Sequence, residues 1–113
     1  MTICEMITDC VNDYVHLHGT SCTMSKKELY QIISCRYSIK YSSFLPQDYC
    51  YNRTNGGIFF EGHTHLFEYV EPDLYRLIGE NYPYSGSVVH KPRGAMETIV
   101  GMWTQGKVEI IRR

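Results

Sequence analysis

A chain of 113 residues, 43% hydrophobic and 20% charged, has room for one folded domain with its own core, which excludes disorder and removes any need for metal or disulfide staples. The formal net charge of −1 argues against broad nonspecific attraction to nucleic acid. No apolar run approaches the roughly 20 residues of a membrane span, and MTICEMITDC begins with acids where a secretory signal would carry bases, so a soluble cytoplasmic domain spanning 1–113 is expected.

The first element reads as a helix over about 3–18. Thr2 and Glu5 fit a capping box, Ile3, Met6, Ile7, Cys10, Val11, Tyr14 and Leu17 recur at helical spacing, and Gly19 stops the run. A second helix over 26 to about 36 has the same kind of start, Ser25 with Glu28, and a buried stripe of Leu29, Ile32 and Ile33. Pro46 suits a first helical turn and Gly56-Gly57 a stop, so a short third helix is expected over 46–54, with Gln47, Asp48, Tyr51, Asn52 and Asn55 on its polar side. Ile58-Phe59-Phe60 reads as a short strand. LFEYV (66–70) and LYRLIG (74–79), split by Glu71-Pro72-Asp73, read as a hairpin. Val88-Val89 follows, and TIVGMW (98–103) with KVEII (107–111) around Gln105-Gly106 reads as a further C-terminal hairpin.

Three N-terminal helices followed by a hairpin give the order of an α+β winged helix-turn-helix domain, with the third helix in the major groove and the hairpin as wing. The acidic tip Glu71-Pro72-Asp73 runs against that reading, because DNA repels it. The runs LPQDYCYNRTN (45–55), LFEYVEPDLYRLIGENYPYSG (66–86) and VGMW (100–103) resemble a small uncharacterised bacterial and phage domain family that occurs alone or beside HNH-type nuclease domains. The resemblance covers most of residues 5–103. It implies a role in DNA recognition, by analogy.

Charge is zoned along the chain. Residues 1–25 carry acids only, 26–55 are basic, 61–80 acidic, and the stretch from 91 onward basic through Lys91, Arg93, Lys107, Arg112 and Arg113. Such zoning can build a basic face on a neutral protein. The 10 tyrosines suit a recognition surface or half-buried sheet positions. Five cysteines without a CxxC pair read as reduced thiols. His63-x-His65 would share a strand face but lacks further ligands at metal spacing, and His16-x-His18 falls on a helix where i and i+2 diverge. Cys50, beside Arg53, reads better as a core thiol than as a nucleophile. No nuclease triplet or phosphate loop is present.

The expectation is therefore a noncatalytic module, without metal or cofactor, that binds double-stranded DNA. Gln47, Tyr51, Asn52 and Asn55 would face bases, and Lys26, Lys27, Lys40 and Arg53 would hold phosphates. The alternative is a protein-binding module, such as a phage-type inhibitor of a host or defence nucleic-acid-binding protein, that presents Glu68, Glu71, Asp73, Tyr75, Tyr82 and Tyr84. A C-terminal hairpin pairing between chains would give a homodimer.

Overall fold

Thr2 and Ser25 start the two α-helices. In the computed structural model, which describes residues 1–55, 59–92 and 94–111, α1 runs Ile3–His18 and α2 runs Lys26–Ser34. Both capping boxes close: Thr2 Oγ1 accepts from the Glu5 N–H at 3.1 Å and Ser25 Oγ from the Glu28 N–H at 3.2 Å. Each glutamate in turn accepts from the backbone N–H of its cap. Gly19, at φ 79°, ends α1 in a conformation that a side chain would disfavour.

The expected third helix does not form. Pro46–Tyr49 makes one 3-10 turn, after which the chain extends. Cys50 bridges Phe67 in parallel, and β2 (Arg53–Thr54) pairs in parallel with β5 (Gly86–His90). The physical reason is burial. Tyr49, Cys50 and Tyr51 are all buried in succession, which one face of a helix cannot achieve. Extended chain sends neighbours to opposite sides, so Cys50 enters one core and Tyr51 another.

Two sheets result. One has the order β1-β4-β3, all antiparallel, from Thr23–Met24, Leu74–Leu77 and Phe67–Glu71. The other has the order β2-β5-β6-β7, where β6 is Thr98–Thr104 and β7 is Lys107–Ile110. Both hairpins stand near their expected places, and Val88-Val89 lies inside β5. Gln105 (φ 49°) and Gly106 (φ 83°) both take the left-handed conformation of a tight hairpin turn. This mostly-sheet architecture overturns the winged helix-turn-helix reading, since no recognition helix stands where it was expected. Phe60 opens a 3-10 turn, Phe60–Gly62, in place of a strand. Ile58, which was to begin that strand, lies outside the described residues, as do the Gly56-Gly57 stop and Arg93, Arg112 and Arg113.

The acidic tip also has another use. Asp73, at φ 59°, turns its carboxylate onto the Lys26 backbone N–H at 3.0 Å, so it caps the start of α2 and offsets the positive end of the helix dipole. The helix start once assigned to a phosphate thus already holds an anion. The helices and the β1-β4-β3 sheet share a core of Ile7, Val11, Leu29, Ile33, Phe44, Cys50, Leu66, Phe67 and Leu77. Tyr51, Phe60, Ile78, Tyr84, Val88 and Trp103 form a second cluster under the four-stranded sheet. Among the described residues, no helix is long and apolar enough to cross a membrane.

Candidate functional site

The link Cys50–Thr54 joins the sheets and builds the site. Asn52 uses its side-chain amide as a strand would use its backbone, donating to the Tyr69 carbonyl at 2.9 Å and accepting from the Tyr69 N–H at 2.8 Å. With Asn52 fixed on β3, Arg53 lies across the Tyr69 ring, its guanidinium carbon 4.1 Å from the centroid. Glu97 accepts from the same guanidinium, Nη2 to Oε1, at 3.1 Å. Pairing of Thr54 with His90 brings Lys91 to the same place. Asn55 donates to Asp48 at 2.7 Å, tying the end of β2 to the 3-10 turn. Gln47, Arg53, Thr54, Asn55, Tyr69 and Lys91 then line an open polar cleft of about 140 Å³.

Its chemistry is that of a grip. Arg53 and Lys91 supply positive charge, Gln47 and Asn55 amide groups, and Asp48 and Glu97 neighbouring negative charge. A guanidinium that touches an aromatic ring and a single carboxylate oxygen keeps further N–H groups for phosphate or carboxylate oxygens. Among the described residues, no group of three or more His, Cys, Asp or Glu could hold a metal.

Of the expected DNA contacts, Gln47, Arg53 and Asn55 lie together at this cleft, though not on a helix, and the others are placed elsewhere. Tyr51 is 2% exposed, with its hydroxyl donating to the Gly79 carbonyl at 2.7 Å, so it cannot face a base. Asn52 is occupied by β3. Lys26 places its ammonium 4.3 Å from the Tyr41 ring centroid. Lys27 and Lys40 are exposed but do not line the cleft. Lys91, Tyr69, Thr54 and Glu97 were missed, because only the long-range pairing of β2 with β5 and the fold of β3 bring them here.

The acidic and tyrosine set is likewise mostly scaffolding. Glu68 accepts from Arg76 at 3.0 Å and from the Tyr84 hydroxyl at 2.6 Å. Tyr75 and Tyr84 are buried, and Tyr82 is half-buried with its backbone N–H on the Tyr51 hydroxyl. Asp73 caps α2, which leaves Glu71 exposed at the end of β3. Cys50 is fully buried, and burial pushes its thiol well above the ordinary range, so it stays protonated and donates toward the Pro46 carbonyl.

The two histidines of the 63–65 motif part company. His63 turns Nδ1 to the Thr64 carbonyl and its ring to Tyr49. His65 is buried, its ring nitrogens 3.2 Å from the Cys50 carbonyl and 3.0 Å from the Phe60 carbonyl. Burial lowers its pKa from 6.5 to about 4, against the opposing pull of those two carbonyls. The unfolded chain thus takes up a proton below pH 6.5 that the folded protein refuses until about pH 4. The stability held above pH 6.5 should therefore fall as the pH drops toward 4, by roughly 3 kcal/mol at most from this group. Urea unfolding at stepped pH checks this: the slope should be present in the wild type and flattened in His65→Gln, and an unchanged slope in the variant would assign it to other groups.

The fold and cleft together define a two-sheet α+β domain with a cleft, at Arg53 and Lys91, whose cationic and amide side chains suit an anionic ligand. The chain belongs to the family described as Domain of unknown function (DUF7225), whose model matches residues 2–110. It is similar to the uncharacterized protein YnaC of Bacillus subtilis (strain 168), with 36% identity over 107 residues, covering 94% of this chain and 38% of that protein. The chain thus spans well under half the length of this relative. No solved structure matches it. The resemblance to a small domain family is met at that level.

Proposed function

We propose that this domain binds nucleic acid, double-stranded DNA foremost, by gripping phosphate at the Arg53 cleft, and that it carries out no chemistry of its own. The observation that supports this reading is the convergence of Gln47, Arg53 and Asn55, from one stretch of chain, with Lys91 from beyond β5 on one open cleft. Tyr69 and Glu97 position the Arg53 guanidinium before any ligand arrives, and Glu97, whose side chain is 53% exposed, can yield its place to a phosphate. Contacts come from a strand and its flanking turns, without a recognition helix, so backbone contacts outweigh base reading. The longer span of the Bacillus relative leaves room for a partner domain. An HNH-type nuclease would be a fitting one, with this domain placing it on DNA.

Fluorescence anisotropy with a labelled random duplex at ~50 and ~200 mM salt tests the proposal. Affinity should fall steeply with salt, and Arg53→Ala and Lys91→Ala should each lower the salt slope by about one. Glu97→Gln should tighten binding. Absence of binding at the lower salt removes the proposal. A second reading, protein binding through the acidic hairpin, draws on Glu71 and the 48%-exposed Val70 beside it at the end of β3. On that reading Glu71→Lys slows association with a basic protein partner, whereas DNA binding would be helped or left alone.

A further inference from the structure

The sheet edges are unequally protected. β1 and β2 are two residues each, and the outer side of β3 is occupied by Cys50 and Asn52. Among the described residues this leaves β7, Lys107–Ile110, as an edge of four residues with no strand beyond it. Its backbone valence can be read from the hairpin. β6 and β7 pair Thr104 with Lys107 and Met102 with Glu109 across a two-residue turn, and the Ile111 N–H reaches the Val100 carbonyl at 2.7 Å. Lys107, Glu109 and Ile111 thus turn their backbone groups to β6, and by alternation Val108 and Ile110 turn theirs to the open side. An unpaired row of this kind is a template for another strand.

The side chains select that strand. A lone edge lysine repels a second copy and is a common guard against edge-to-edge pairing. Here Lys107 and Glu109 stand two apart on the exposed face, with Val108 between them on the inner face. Two copies of β7 laid antiparallel about Val108 set each Lys107 opposite the other copy's Glu109, and both ion pairs form at once by symmetry. The same register places the outward N–H and carbonyl of the two Val108 residues face to face as a hydrogen-bonded pair. Shifting the centre to Glu109 sets the two glutamates against each other, and shifting it to Ile110 sets Glu109 opposite Ile111 and loses both ion pairs, so the Val108 register is favoured.

We infer that β7 pairs with β7 of a second copy to form a two-fold dimer with one continuous sheet of eight strands. The Arg53 cleft lies at the opposite edge of the same sheet, on β2, so the dimer carries its two clefts on its two outer edges and blocks neither. The inference does not depend on what the cleft holds.

Sedimentation equilibrium of the whole chain from micromolar to millimolar concentration reads the association. The wild type should reach dimer mass. Glu109→Lys should raise the dimer dissociation constant by about tenfold or more, because it turns both ion pairs into repulsions. The double exchange Lys107→Glu with Glu109→Lys should restore the wild-type constant, since it reinstates both pairs with their signs reversed. Val108→Pro removes an N–H that β6 does not use, so it should abolish the dimer while circular dichroism shows a folded monomer. A wild type that stays monomeric throughout overturns the inference. So does a dimer indifferent to Glu109→Lys and Val108→Pro, or a folded double exchange that fails to recover.

Discussion

Trp103→Ala should lower folding stability by about 3–5 kcal/mol, a large share of the 5–15 kcal/mol typical of a domain. Trp103 is the largest member of the second cluster and is 7% exposed. Its ring lies 5.1 Å from those of Tyr51 and His65, 6.0 Å from Phe60 and 6.3 Å from Tyr84, mostly edge-on, the arrangement aromatic rings favour. Its indole N–H donates to the Tyr51 carbonyl at 2.6 Å. Removing the side chain therefore leaves both a cavity and a buried carbonyl without its donor. Trp103→Phe keeps much of the volume and loses the donor, so it should cost about 1–3 kcal/mol. Urea unfolding followed by far-ultraviolet circular dichroism gives both values. A loss below about 1 kcal/mol for the alanine variant would show that the aromatic cluster contributes little to folding.

What the sequence made legible was local. The pairs Thr2/Glu5 and Ser25/Glu28 act across three residues, so their helices could be started correctly without tertiary knowledge. The tight turn at Gln105-Gly106 is equally self-contained. Residues 46–55 were misread for an instructive reason. Pro46 does open a helical turn, but Cys50 and Tyr51 belong to different cores, a demand that comes from strands far along the chain and overrides local preference. Charge zoning misled in the same way. The acidic first segment folds onto the basic second one, with Asp9 and Asp13 at 3.1 and 2.7 Å from Arg36, so zones in sequence become pairs in space. Arg53 with Glu97 and Arg76 with Glu68 instead pair each zone's charge with a minority opposite charge, Glu97 within the basic C-terminal stretch and Arg76 within the acidic 61–80 stretch. Gln47, Arg53 and Asn55 still converged because they flank one short stretch, whereas Lys91 required the β2–β5 pairing.

Asn52→Ala should cost about 2–3 kcal/mol, more than its modest size suggests, because one side chain satisfies both backbone groups of Tyr69. On a sheet edge those groups would otherwise need another strand, and Asn52 is the piece of the inter-sheet link that supplies the pairing. Asn52→Asp separates the two bonds: the carboxylate still accepts from the Tyr69 N–H but meets the Tyr69 carbonyl with a second acceptor. It should therefore be at least as destabilising as alanine despite its nearly identical shape. Hydrogen exchange adds a local readout, with the Tyr69 amide exchanging faster in both variants while α1 amides keep their protection relative to global unfolding. The same change loosens the platform under Arg53, so ligand grip at the cleft should weaken in step with Tyr69 exchange. Stability within about 0.5 kcal/mol of wild type in Asn52→Ala would mean that water replaces the amide without cost, and that the Cys50–Phe67 backbone bridge and the packing of the cores suffice to join the sheets.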